Sequence, residues 1–131
     1  MASKKSITQV LDGVTYVGNR SPEMSIAGGA SDAFAKLFDY RNGAIFVGHY
    51  SGSSEWERHS QGDEVVMALS GSTTLILHGA EGNERITLNA NELTVVPQGV
   101  WHRFENSVDL KVMTVTPQPT DHQLEEPTVA R

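Results

Sequence analysis

The 131-residue chain contains no cysteine. Disulfides and thiolate metal ligands are therefore excluded, and redox chemistry says nothing about compartment. Basic residues are scarce, with 10 Lys and Arg against 16 Asp and Glu for a formal charge of −6. They are also scattered, apart from Lys4-Lys5, so the clustered positive charge that phosphate backbones demand is missing and nucleic acid is not expected as a partner. No window approaches the roughly 18 apolar residues of a membrane helix. No apolar core resembling a signal peptide follows Met1 to Ser6. A cytoplasmic protein with no membrane partner is the expectation. Proline is nearly absent from the middle: three of its five copies fall at 117, 119 and 127. That makes residues 118–131 a tail too rich in proline and charge to add core.

What is present centres on Gly52 to Gly71, GSSEWERHSQGDEVVMALSG. It reads as a strand ending in Glu55-Trp56-Glu57-Arg58-His59, a tight turn at Ser60 to Asp63, and a strand Glu64 to Leu69. Strand side chains alternate, so Glu55, Glu57 and His59 share one face, with Trp56 and Arg58 on the other. If the turn folds the second strand back, Glu64 arrives beside His59. Carboxylates gathered in this way repel one another and lose hydration, so a positive partner is expected, and a divalent metal suits the place.

The rest of the chain is mostly short strands. Ile7 to Val17, turning at Asp12-Gly13, reads as one or two of them. Ser31 to Phe38 is the best helical segment or else irregular, with Ser31 as cap and Phe34, Leu37 and Phe38 at helical spacing. Ala44 to Tyr50 is apolar on both faces, as in a strand covered on both sides, and Arg41-Asn42-Gly43 before it signals a hairpin. Strands follow at Thr73–His78, Arg85–Leu88, Leu93–Val96, Trp101–Glu105 and Leu110–Thr116. So many short, evenly spaced strands indicate an all-β sandwich or barrel in one domain, closure removing exposed edges.

A second stretch, Asn91 to Asn106 (NELTVVPQGVWHRFEN), answers the first. Together the two resemble the paired motifs of the cupin superfamily. The first family motif runs glycine, His-x-His, Glu, Gly. Gly52, His59, Glu64 and Gly71 match it, with four residues between His59 and Glu64 and six between Glu64 and Gly71. The second runs Gly, Pro-x-Gly, His, Asn, and Pro97, Gly99, His102 and Asn106 fall in register, with 19 residues (72 to 90) joining the two. There are two departures. Glu57 stands where the first histidine would be, and Asn91 stands for the leading glycine, a place where asparagine tolerates positive φ.

The resemblance implies a small single-domain cupin. Its jelly-roll barrel would span residues 37–117, with residues 1–36 packing on it and a homodimer formed through the sheets. It also implies a divalent metal in the barrel held by Glu57, His59, Glu64 and His102. Imidazole and carboxylate donors suit Zn, Fe, Mn or Ni. Glu57 can serve as ligand, as an acceptor orienting an imidazole, or as catalytic base. Phe104, Asn106 and Met67 are expected near the cavity, while Glu55 and Asp63 read as surface or turn residues and His122 as solvent-facing. His49 and His78 match no motif position. The implied activity is metal-dependent chemistry of oxygenase, isomerase or lyase type on a small organic substrate. The alternative is a non-catalytic small-ligand binding or sensing cupin with a vestigial or metal-free site.

Overall fold

The computed structural model describes residues 2–128; Met1 and residues 129–131, part of the expected mobile start and of the tail, lie outside the described residues. The chain runs α1 (Ile7–Asp12), β1 (Val17–Arg20), α2 (Pro22–Ile26), a 3-10 turn at Ser31–Ala33, β2 (Phe34–Tyr40), β3 (Gly43–Gly52), β4 (Trp56–His59), β5 (Glu64–Leu77), β6 (Glu84–Asn89), β7 (Glu92–Val96), β8 (His102–Pro117) and β9 (Thr120–Gln123). No helix among the described residues is long and apolar enough to cross a membrane.

The framework is the antiparallel pair of β5 and β8, 14 and 16 residues long. They stay in register from Val65 opposite Val115 to Leu77 opposite His102, with irregularities between Ala68 and Thr74 where both strands bend. Each half recruits different neighbours. The first half of β5 pairs with β7 and the second with β6. The far half of β8 pairs with β3, and its start pairs with β4 through Glu57 and His102. β2 extends β3 on one side and β9 extends β4 on the other. Two facing sheets that share two bent strands make the jelly-roll barrel.

Alternation along these strands fills the interior. Val66, Ala68, Leu75, Leu77, Leu110, Val112, Tyr50 and Phe104 form one buried cluster. A second lies outside the sheet, where Leu11 packs on Leu37 and Val47 with Ile45, Leu69 and Met113 alongside. The apolar run Ala44 to Tyr50 is thereby explained, because β3 faces the cavity on one side and α1 on the other.

Three local expectations are corrected. Ile7 to Asp12 is helical, not strand, and is capped by Ser6, whose side chain accepts from Gln9 N–H. Ile7, Val10, Leu11 and Val14 all pack in the outer cluster, at the i, i+3, i+4, i+7 spacing of a helix face, and that period outweighs their β-branched content. Ser31 to Phe38 is a 3-10 turn followed by strand. A register shift between Lys36 and Phe38 lets the adjacent Leu37 and Phe38 share one cluster, which imitates helical spacing. Third, the tail is not structureless, since Thr120–Gln123 pairs with β4 from His59 back to Trp56. Strand pairing thus runs beyond residues 37–117 at both ends.

Turn residues fix the bends. Asn91 takes φ 67°, the role read for it in the sequence. Gly71 at φ +72° sits within β5 at the irregularity opposite β8, and a Cβ there would sit 2.1 Å from the Asp109 carbonyl oxygen and 2.4 Å from that of Val108. Both obstacles are backbone and cannot swing aside. Gly71→Ala is therefore expected to cost roughly 3 kcal/mol or more, combining left-handed strain with overpacking. Urea unfolding midpoints will check this, and an unshifted midpoint would contradict the packing described.

Candidate metal centre

Four side chains from three strands meet at one end of the barrel. His59 and Glu57 come from β4, Glu64 opens β5 and His102 opens β8. The turns carrying them are tied together: Gln98 N–H donates to Asp63 Oδ1 (2.7 Å) and Gly99 N–H to the His59 carbonyl (2.9 Å). Asp63, exposed as expected, is thus the clamp between the two motif turns.

Glu64 is the hub. Its Oε1 lies 3.1 Å from His102 Nε2, while its Oε2 accepts from Thr116 Oγ1 at 2.6 Å and lies 3.3 Å from His59 Nε2. The rings of His59 and His102 are 5.2 Å apart between centroids. His102 Nδ1 faces the Val100 carbonyl at 3.0 Å. A carbonyl only accepts, so Nδ1 carries a proton and the ring's orientation is fixed. His59 Nδ1 is held by Thr120 Oγ1 at 3.0 Å. His59 Nε2 is buried and makes no hydrogen bond. Its 3.3 Å approach to Glu64 is an ion-pair distance out of hydrogen-bonding line, and geometry of this kind describes a nitrogen without a true partner.

Glu57 is the cavity-side member, with Oε2 4.0 Å from His59 Nε2 and Oε1 3.9 Å from Arg20. One atom from each of Glu57, His59 and His102 falls within 4.8 Å of the others. Glu64 bridges the two imidazoles of that trio, and the donor set comprises two imidazoles and two carboxylates. These donors fit a divalent transition metal. Both Nδ1 atoms are engaged by oxygens, both Nε2 atoms face the carboxylates, and one Nε2 is orphaned in the interior.

Charge shifts follow from this crowding. Burial alone would raise the Glu64 carboxyl, but the His102 hydrogen bond and the nearness of both imidazoles outweigh it and bring it from 4.5 to about 2. Burial would likewise lower His102, yet Glu64 beside it carries it above 6.5. Glu57 is raised by desolvation and then by the Glu64 charge; its side chain keeps 18% exposure, which moderates the effect.

Beside this cluster opens a cavity of about 490 Å³, whose lining includes Phe34, Phe46, Tyr50, Phe104, Glu57 and Thr114. Of the residues expected near it, Phe104 lines it, whereas Asn106 and Met67 do not. Asn106 is exposed at φ 51° and gives its N–H to Ser53. Met67 alternates with the inward Val66 and Ala68 and turns to the outer face, opposite Leu93 and Met113. Glu55 is corrected as well. It is 3% exposed, accepts from His122 Nδ1 at 3.0 Å and lies 3.9 Å from Arg20. His122, half-exposed, is pinned by that contact. His49 lies outside the barrel against Asp109, and His78 pairs with Asn83.

Arg20 is the residue the sequence concealed. It is buried on β1, and no motif or spacing marks it. A lone basic residue ahead of Ser-Pro carries no signal. Tyr50 behind it is pushed up to about 12 by burial, so its phenol stays protonated.

The model of the cupin domain matches residues 46–116, more than half of the chain. The chain belongs to the cupin family. Among curated proteins, no sequence matches it. Of solved structures, a cupin-2 domain protein from Shewanella frigidimarina is 24% identical with TM-score 0.56, over 65% of this chain and 79% of its own. A protein from Neisseria meningitidis is 18% identical with TM-score 0.63, over 88% of this cupin and all (100%) of its own chain. A hydroquinone 1,2-dioxygenase in complex with Cd2+ and 4-hydroxybenzonitrile is 15% identical with TM-score 0.59, over 87% and 72%. At these identities the likeness is one of fold.

The metal-free cupin should be most stable in the mildly acidic range. The lowered Glu64 contributes stability that is present above 4.5 and lost as pH falls toward about 2, worth about 3 kcal/mol at most. The raised His102 contributes stability that is full below 6.5 and lost as pH rises through its folded value, and the raised Glu57 contributes stability that is full below 4.5 and declines as pH rises from there. Urea titrations across pH 3 to 9 will test this; a profile flat below pH ~4.5 would mean that Glu64 is not held as a carboxylate.

Proposed function

We propose that this cupin holds a divalent transition metal on Glu57, His59, Glu64 and His102 and acts enzymatically on a small organic substrate in the adjoining cavity. One observation carries the reading: two imidazoles, each with Nδ1 taken by an oxygen, turn their Nε2 atoms toward a single buried carboxylate beside a cavity of about 490 Å³. The donor types suit Zn, Fe, Mn or Ni. A metal bound there supplies Lewis acidity to a substrate oxygen. The chain's own residues do the rest. Val100 and Thr116 orient His102 and Glu64. Phe34, Phe46 and Phe104 enclose the apolar part of the substrate and exclude water. Glu57, which lines the cavity, is the carboxylate placed to take or give a proton at the substrate. A likeness of fold to a dioxygenase keeps oxygenation among the reactions in view, beside isomerisation and elimination.

Elemental analysis of tag-free protein should find near one equivalent of metal. His59→Ala and His102→Ala should each weaken binding by on the order of 100-fold or more, while Glu57→Gln should depress turnover by about 10² to 10⁴. A redox-active metal with oxygen uptake on a substrate panel points to oxygenase chemistry, and zinc alone points to an isomerase or lyase.

A second reading, a metal-free binding cupin, is favoured by Glu64 itself, which already gives both imidazoles an anionic neighbour without any cation. Dialysis against zinc and manganese separates the two, because the binder would remain metal-free. A homodimer is the assembly we expect, since the outer face of β7 leaves Leu93 and Val95 57% and 48% exposed and a second copy can cover them. Light scattering should return twice the chain mass.

A further inference from the structure

Arg20 is 7% exposed, yet among the described residues its guanidinium makes one hydrogen bond, from Nε to Ser25 Oγ at 2.9 Å. Its plane is fixed by aromatic faces, with the central carbon 4.5 Å from the Tyr50 ring and 5.1 Å from that of Phe34. One terminal nitrogen lies 3.9 Å from both Glu55 Oε2 and Glu57 Oε1, which is attraction without a hydrogen bond. Glu55 gives only its Oε1 to His122, and its Oε2, the oxygen facing Arg20, is buried without a hydrogen bond. The guanidinium thus borders the cavity with its end held rigidly and its terminal N–H donors undischarged. A buried fork of this kind calls for a planar, two-oxygen acceptor.

We infer that Arg20 is the anion-recognition residue of this cavity and that its ligand is a small carboxylic acid with a flat apolar body. The carboxylate meets the Arg20 fork, and the body lies among Phe34, Phe46 and Phe104. The inference rests on the metal reading above, through charge. Glu55, Glu57 and Glu64 outnumber Arg20 even with an imidazolium at His102 counted, so an anion is repelled from the metal-free cavity; a divalent ion on Glu57, His59, Glu64 and His102, taking the place of that proton, brings these groups to neutrality and lets the carboxylate bind. A neutral isostere offers the Arg20 fork one uncharged oxygen in place of two charged ones and leaves a donor unpaired in a buried place, which is costly.

The test uses full-length protein loaded with zinc, whose content is measured directly, and calorimetric titration with benzoate and with its neutral isostere benzamide. Benzoate should bind at least tenfold more tightly, the scale of one charge-assisted pair. Arg20→Gln should erase that preference with zinc content unchanged, and Arg20→Lys should keep part of it. Removing zinc should weaken benzoate more than benzamide. Should Arg20→Gln fail to fold, the wild-type preference together with the Arg20→Lys loss decides. Equal binding of the two probes, binding of neither, or a preference that survives Arg20→Gln or is undiminished in Arg20→Lys overturns the inference while the metal reading stands. Failure of the protein to take up zinc, read from its measured content, overturns both.

Discussion

One carboxylate organises this protein. Glu64 is buried between the two sheets and answers to groups from both: His102 at the start of β8, His59 at the end of β4 and Thr116 near the far end of β8. A charge in that position is tolerable only because imidazoles and a hydroxyl surround it. The barrel must close accurately enough to deliver them, so the site and the fold constrain each other. Slippage of β4 by one residue would send His59 outward and leave the carboxylate unanswered.

Much of this was legible in the sequence, and the reasons are physical. His59, Glu64 and His102 sit at strand ends next to turns, and turns require particular residues; the spacing from Gly52 through His59 and Glu64 to Gly71 records that geometry directly. Asn91 could be read for the same reason, since few residues accept its backbone conformation. Segments whose structure depends on what covers them were less legible. Ile7 to Asp12 contains strand-favouring residues, and only its packing against β3 makes the helical period decisive. The β2 irregularity shows the converse, a strand bulge imitating a helix.

The cavity's chemistry was the least legible part. Arg20 reaches it because β1 runs parallel to β3, a long-range pairing that leaves no local trace. Thr120 and His122 arrive through β9, inside a proline-bounded segment that composition assigns to a loose tail. Glu55 looked like a surface acid because its partners, Arg20 and His122, come from opposite ends of the chain. Side chains whose roles depend on distant partners are invisible to any reading of neighbours.

The region matching the family model, 46–116, holds all four residues of the candidate metal centre but neither β1 nor β9. On the reading proposed above, the barrel supplies the reacting groups from its middle, and discrimination enters from flanks that the shared architecture does not dictate. On that reading, exchanging those flanks between related barrels would present the same centre to different compounds, while the β5–β8 scaffold beneath stayed as it is.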